Sequence, residues 1–312
     1  MKSSVVKFVA NVLGVDIGGT KIAAALIGEN GQIIARNEVP SDATDKEKMF
    51  GQVVKSIEGV LSATNTPIEE VQSMGVGVAG KVDSKNGIAV YQNNLPWENF
   101  PLRNRLQQAF EIDQITIDND VVMATFAEWQ MVKEQEEETF VYLTVSTGIS
   151  CSIIHNGEVL RGSGFSGELG LLPVVKAQSS VERLELLAAG PAIQKVGASV
   201  YQDENCQTKD VFLKYESGDL DAKRIVDEAI AAIAHGVYAV VCLLDPHKIV
   251  IGGGVFNHQP ALLDLLKEAL EKHLIKEQLD VLSRFSLSKL QGDAGIIGAG
   301  LKGKTACKLS FN

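Results

Sequence analysis

The sequence predicts an α/β protein made of two similar domains. Three observations carry this. A strand–turn–strand–turn–strand pattern over residues 12–39 returns over residues 141–161. Each copy has a glycine-containing first turn (Gly18-Gly19, then Gly148) and an Asn-Gly second turn, at Asn30 and at Asn156. Helical and strand-like spacings then follow both copies, the pattern of sheets covered by helices. Chance recurrence of a common turn signal is the competing explanation. A length of 312 residues suits two domains at roughly 150 residues each.

The elements follow in order. Val12 to Ile17 reads as a strand, Lys21 to Ile27 as its hairpin partner, and Gln32 to Val39 as a third strand after Asn30-Gly31. Residues 45–63 switch to helical spacing, with Phe50, Val53, Val54, Ile57, Val60 and Leu61 on one stripe. Met74 to Val78 is a strand ending in Ala79-Gly80, and Gln114 to Ile117 is another, ending in Asp118-Asn119-Asp120 with the helical stretch VVMATFAEW behind it. In the second half the helical stretches are 181–197 and 221–244, and KIVIGGG over 248–254 is a buried strand. The expected domains are 1–118, with a C-terminal segment 299–312 packing back on it, and 119–298.

Composition excludes several functions. The net charge of −10 lacks the basic footprint that phosphate backbones require, so nucleic acid is not the expected partner. The acidic run EQEEE at 134–138 reads as a solvated helix face or loop. The longest apolar run, Gly236 to Leu244, is short of the ~20 residues that span a bilayer, so no membrane is expected. The start of the chain reads as structured and not as a cleaved leader. Four cysteines, at 151, 206, 242 and 307, form no CxxC pair, which fits a reducing, cytoplasmic setting.

The candidate chemistry sits at strand ends. In DIGGTK, Gly18 and Gly19 let backbone N–H groups approach an anion, and Thr20 and Lys21 can donate to phosphate oxygens. Asp16 would repel that phosphate, so a Mg²⁺ held through water is the economical reason for it. A plain tight hairpin is the alternative. VSTGIS repeats the device in the second half with Thr147 and Gly148. Two such turns at matching points suggest a nucleotide held between domains. Asp120 follows a strand C-terminus, where open α/β sheets bind ligands, although a helix N-cap would look the same. GVAGKVD at 77–83, with Ala79 and Gly80, and NNLPW at 93–97, with Asn94, offer small residues, amides and an indole suited to a polyol. Gly252, Gly253 and Gly254 allow close backbone approach after a strand, and the glycines of DAGIIGAG suit either a ligand or close helix packing.

Taken in order, DIGGTK, GVAGKVD, NNLPW, IDND, VSTG, GELG, LELLAAG, LDPHKIVIGGG and DAGIIGAG resemble the ROK family of sugar kinases, from about Leu13 to Leu301. The resemblance implies the actin-like ATPase (ribonuclease H-like) fold, two duplicated α/β domains around a central cleft holding ATP. It implies a cytoplasmic homodimer and an ATP-dependent kinase acting on the primary hydroxyl of a hexose or N-acetylhexosamine. By resemblance Asp16, Gly18, Gly19, Thr20 and Lys21 form the first phosphate loop, with Asp16 facing Mg²⁺. Thr147 and Gly148 form the second, and Gly252, Gly253 and Gly254 the adenosine region. Ala79, Gly80, Asn94, Asn119, Glu168 and Glu185 fall on the sugar side, with Asp120 as catalytic base.

One departure stands out. The family follows its GELG-type segment with a histidine and a cysteine cluster that bind zinc. Here Leu171 stands at the histidine position and no cysteine follows before Glu185. No zinc site is expected, and Leu169, Leu171, Leu172 and Val174 are expected to pack on Leu184, Leu186 and Leu187 instead. A non-catalytic sugar sensor is the rival reading. A repressor with a helix-turn-helix is disfavoured, since only about eleven residues precede the first expected strand.

Overall fold

A computed structural model describes residues 11–28, 31–92, 94–132, 138–175 and 180–309. The chain forms two compact units, one of residues 1–130 with 293–312 and the other of residues 131–292.

In the first unit, β1 (Asn11–Ile17), β2 (Lys21–Ile27) and β3 (Ile33–Pro40) form an antiparallel meander. Helix α1 (Lys46–Thr64) follows, begun by the Asp45 carboxylate, which accepts the backbone N–H of Glu47 and Lys48. Of its expected stripe Phe50, Val53, Ile57 and Val60 are buried, joined by Met49, while Val54 and Leu61 are half-buried against the same core. Strand β4 (Val71–Val78) returns parallel to β1. A small sheet of β5 (Lys81–Asp83), β6 (Ile88–Tyr91) and β7 (Glu98–Phe100) leads through α2 (Leu102–Phe110) to β8 (Ile115–Asn119), parallel to β4, and then α3 (Asp120–Val132). The main sheet has the order β3-β2-β1-β4-β8.

The second unit repeats this plan. Strands β9 (Thr139–Val145), β10 (Ile149–His155) and β11 (Glu158–Val159) form its meander. The hairpin pair β12 (Pro173–Val175) and β13 (Val181–Arg183) precedes α4 (Glu185–Ala188), α5 (Gly190–Tyr201), α6 (Thr208–Glu216) and α7 (Leu220–Leu244). Strand β14 (Lys248–Gly252) runs parallel to β9, α8 (Gly254–His258) and α9 (Leu262–Glu271) follow, and β15 (Phe285–Leu287) closes the order β11-β10-β9-β14-β15. Both sheets show two antiparallel pairings followed by two parallel ones. Asn156 and Gly157 take positive φ, +52° and +76°, the two-residue turn that Asn-Gly favours. Asn30, its expected counterpart, and residues 134–137 of the acidic run lie outside the described residues.

Helix α10 (Ala294–Leu309) crosses back to the first unit. Its glycines serve packing: a methyl at Gly298 would collide with the Met123 carbonyl, and one at Gly75 of β4 with the Ala299 carbonyl. Close packing of α3 on α10 and β4 carries the first unit to residue 130, beyond the expected break after 118, and all of α10 joins it, so the return begins at 293 and not 299.

The expected helix over 181–197 is only partly helical. Residues 181–183 pair with β12, and α5 begins at Gly190 with Pro191 in its first turn. Helix α7 is long and apolar enough to cross a membrane, but most of that apolar stretch is buried in the core of its unit. Of the expected apolar staple, Val174 and Leu184 are buried and Leu169 and Leu187 pack on the core, while Leu171 and Leu186 are exposed.

Candidate functional site

The first unit gathers its candidate residues at the C-terminal ends of β1, β4 and β8. The β1–β2 turn closes with the Gly18 N–H donating to the Lys21 carbonyl at 3.0 Å. The Ser41 hydroxyl donates to the Gly18 carbonyl at 2.7 Å and fixes the loop from outside. Gly19 is required here: a methyl would lie 2.8 Å from Cβ of Asn94. The turn and the NNLPW loop are therefore neighbours, which brings Gly18, Gly19 and Asn94 together. Asn93 lies outside the described residues. Thr20 is exposed. Lys21 has its ammonium 2.9 Å from Glu38, which Arg36 also holds while pairing with Asp293.

Asp16, Gly77 and Asp118 are neighbours across β1, β4 and β8. Gly77 has no side chain, and Cα of Asp120 lies 3.4 Å from where its Cβ would be. Asp120 thus stands above β4, in the row that carries Asp16 on one side and Asp118 on the other. Helix α10 closes the row from the other end, with Gly295 so near that a methyl there would lie 3.1 Å from Oδ2 of Asp16. Burial pushes the Asp16 carboxyl up to about 7, and the charge of Asp120 adds to it. Burial also raises Asp120, against the lowering effect of the Val121 N–H.

Asn119 and Asp120 divide the work at the start of α3. Oδ1 of Asn119 accepts the N–H of Val121 at 2.9 Å and of Val122 at 3.2 Å, so Asn119 caps the helix. Its Nδ2 donates to the Gly80 carbonyl at 2.9 Å, which draws the Ala79-Gly80 turn to it. Asp120 accepts the N–H of Val121 at 3.0 Å, and its own N–H and the Asn119 side chain also bond to its carboxylate. The N-cap alternative for Asp120 is therefore met by Asn119.

The indole of Trp97 does not line a ligand surface. Trp97 is buried, stacks on Phe100 at 4.7 Å between ring centroids, and donates Nε1–H to the Lys46 carbonyl at 3.1 Å. A Pro-Trp loop following two amides looks the same in sequence whether its ring faces a ligand or a core.

The second unit builds a matching turn. The Ser146 N–H donates to the Gly148 carbonyl at 2.9 Å, leaving Thr147 exposed at the tip. Gly253 has φ +86°, and a side chain there would collide with the Val145 carbonyl, so VIGGG lies against this turn. Gly254 starts α8 beside Ser146, and Gly252 packs on Tyr142 and Ser288. A pocket of about 350 Å³ opens here, lined by Thr147 and Gly254 and by the first turns of α5 and α6 (Gly190, Pro191, Thr208, Lys209). In α5 the Gly190 N–H is already bonded to the Ser146 carbonyl at 2.8 Å and Pro191 has none, so Lys209 and the start of α6 are what the pocket offers an anion. Glu185 reaches the same turn: Gly148 and Gly170 would place methyls 3.4 Å and 3.1 Å from its Oε2. Glu168 precedes a short 3-10 turn, and its charge, after burial, helps push the Cys151 thiol up to about 12.

Sequence reasoning missed Pro191, Thr208 and Lys209. A Gly-Pro pair at 190–191 and a Gln207/Asp210 capping box were the available signals. It also missed Lys302, whose partner Asp118 is 184 residues away in the chain.

The ROK family model matches residues 12–302. The chain is 26% identical to a glucokinase of Halalkalibacterium halodurans, over 92% of this chain and 93% of the relative. It is 31% identical to an N-acetylmannosamine kinase of Haemophilus influenzae, over 92% and 93% respectively. The ROK hexokinase of Thermus thermophilus superposes with a TM-score of 0.77 at 28% identity, over 97% of this chain and 100% of that one. The duplicated sheet, the paired glycine turns and a family match over nearly the whole chain lead to one conclusion: the chain belongs to the ROK family.

Proposed function

We propose that this protein is an ATP-dependent sugar kinase, transferring the γ-phosphoryl group to the primary (6-OH) hydroxyl of a hexose or an N-acetylhexosamine. The observation that carries it is the placing of Asp120 over Gly77 beside Asp16, with Asn119 relieving Asp120 of the helix cap. Relatives acting on glucose and on N-acetylmannosamine support the substrate class.

Asp120 accepts the hydroxyl proton as the sugar oxygen attacks phosphorus. The new O–P bond forms as the bond from γ-phosphorus to the β-bridging oxygen breaks, and ADP leaves. Asn119 holds Gly80 and the start of α3, so the Gly80 turn and Asp120 keep one geometry around the sugar. Asn94, Glu168 and Glu185 supply acceptors for the remaining hydroxyls. Gly18, Gly19, Thr20 and Lys21 in the first unit, with Thr147 and Gly148 in the second, offer donors to the phosphates. Gly252, Gly253 and Gly254 line the adenosine side, where the pocket of the second unit suits a nucleotide in size and charge.

Asp16 fits a hard divalent cation. Its carboxyl is held up near 7 by burial and by Asp120, so a cation beside it would favour the ionised form, and an oxygen donor suits Mg²⁺. When bound, Mg²⁺ offsets the charge that develops on the phosphoryl oxygens. Asp16 contributes orientation through water, and Gly295 at its back limits where its carboxylate can turn.

A coupled ADP-release screen over glucose, mannose, fructose, N-acetylmannosamine and β-glucosides tests the proposal. One or more sugars should raise ADP release well above the sugar-free rate. Sugar binding without any ADP release would favour a sensor of the same fold.

A further inference from the structure

The row of Asp16, Asp120 and Asp118 contains three carboxyls, and one of them is not explained by metal, phosphate or sugar. Asp118 is 2% exposed. Its Oδ2 lies 2.9 Å from Nζ of Lys302 on α10, and the two side chains are 3% and 15% exposed. Its Oδ1 accepts the Asn119 N–H at 3.0 Å. The ammonium of Lys302 also lies 5.6 Å from the ring centroid of Phe126, further along α3. Lys302 therefore grips both the strand that leads into α3 and the helix itself.

We propose that the Asp118–Lys302 pair is a positioning device for Asn119 and Asp120. Each link is a named bond. Lys302 fixes Asp118, and Asp118 fixes the backbone of Asn119. Asn119 in turn holds the Gly80 carbonyl and, in the first turn of α3, the N–H groups of Val121 and Val122. Asp120 lies between these anchors in the chain. The pair matters because it is buried. An exposed ion pair would contribute little, but removing one partner of a buried pair leaves an uncompensated charge that the structure must shed or move to solvate. Lys302 also places the pair on the helix whose first turn abuts Asp16. One rigid element thus holds the carboxylate assigned to the metal and, through Asp118, the base.

The kinetic consequence rests on the kinase reading above; the positioning itself does not. Three variants test both: Lys302→Met, Lys302→Arg, and the double variant Asp118→Asn with Lys302→Met. The double variant removes the orphaned charge yet keeps an amide oxygen for the Asn119 N–H. The first readout is backbone amide exchange in the sugar-free protein. Lys302→Met should speed exchange across residues 119–123 by about 10-fold or more, with β1 and β2 unchanged. Lys302→Arg should lie near wild type, and the double variant, which loses the anchor without orphaning a charge, should exchange faster than wild type across the same residues. The second readout is steady-state kinetics. Lys302→Met should lower kcat ~10-fold or more, since small misplacement of a catalytic group is costly, while KM for ATP moves less than about two-fold. The double variant should keep a lowered kcat, since the anchor is still missing.

Unchanged exchange at 119–123 in a folded Lys302→Met protein overturns the inference. So does faster exchange spread evenly over the first unit with kcat intact, which marks a merely structural pair. If Lys302→Met does not fold, the double variant decides: faster exchange at 119–123 with a lowered kcat supports positioning by the pair, and wild-type exchange with wild-type kcat refutes it. If wild type phosphorylates no sugar, the kinase reading falls and the exchange result still decides this one.

Discussion

At Asp16 the folded protein holds a carboxyl pushed up to about 7, by burial first and then by Asp120. A free aspartate titrates near 3.9. Between those values the unfolded chain releases its proton while the folded chain keeps it. The group therefore costs stability progressively as pH rises from about 4 to about 7, and the cost is complete above that. Without nucleotide or metal, Asp16→Asn should melt above wild type at pH 8, by at least ~2 °C on the usual scaling of melting temperature with stability. The gap should narrow as pH falls through 6 towards 5. Calorimetric melts across that range check it, and a gap that widens towards acid would contradict the assignment. The same substitution should raise the Mg²⁺ requirement for turnover. The carboxylates were legible in the sequence because an ionised residue at the end of a hydrophobic strand needs a reason. The partners of Lys21 and Lys302 were not, because Glu38 and Asp118 become neighbours only through strand pairing and the return of α10. Trp97 was misread because its burial depends on Phe100 and the backbone of Lys46, which no local pattern announces.

Helix α10 shows how an element does work that its composition hides. Its glycines allow α3, β1 and β4 to approach at backbone distance. Gly298→Ala should therefore destabilise the protein, by about 1–3 kcal/mol as overpacked cores do. Gly51 in α1 gives the matched control, since nothing lies within 4 Å of an added methyl. Gly51→Ala should raise stability by roughly 0.5–1 kcal/mol through helix propensity alone. Chemical denaturation of the two variants should show opposite signs; a neutral Gly298→Ala would mean that α10 is held more loosely than the structure has it. The sequence left the DAGIIGAG glycines open between ligand and packing, and packing is what α10 uses them for. The helices α1 and α7 were legible from their 3.6-residue stripes. The β12–β13 hairpin was not, because residues 176–179, KAQS, carry none of the Gly, Pro or Asn-Gly signals that mark a turn.

On the scale of the whole molecule, duplication is the readable feature. The two sheets repeat one strand order, and the clue was an Asn-Gly turn at matching points of two meanders. The limits of each unit were harder to read, since α3 follows β8 without a break and its membership depends on α10. The metal expectation also belongs to this scale. Residues 167–190 contain no Cys or His, and structural zinc takes four such ligands. Metal analysis of the purified protein should find no stoichiometric zinc; one zinc per chain would mean that distant ligands converge.

The central claim is that Asp120 accepts the sugar's proton, and one comparison tests it most directly. On the sugar that the ADP-release screen selects, kcat of Asp120→Asn is measured against wild type, and sugar affinity is measured by calorimetry on both. Removal of a general base predicts a kcat at least ~10²-fold lower, with the sugar still bound, because the amide keeps the shape and loses the proton acceptor. Wild-type turnover in Asp120→Asn would contradict the account and leave Asp120 as nothing more than the first residue of α3.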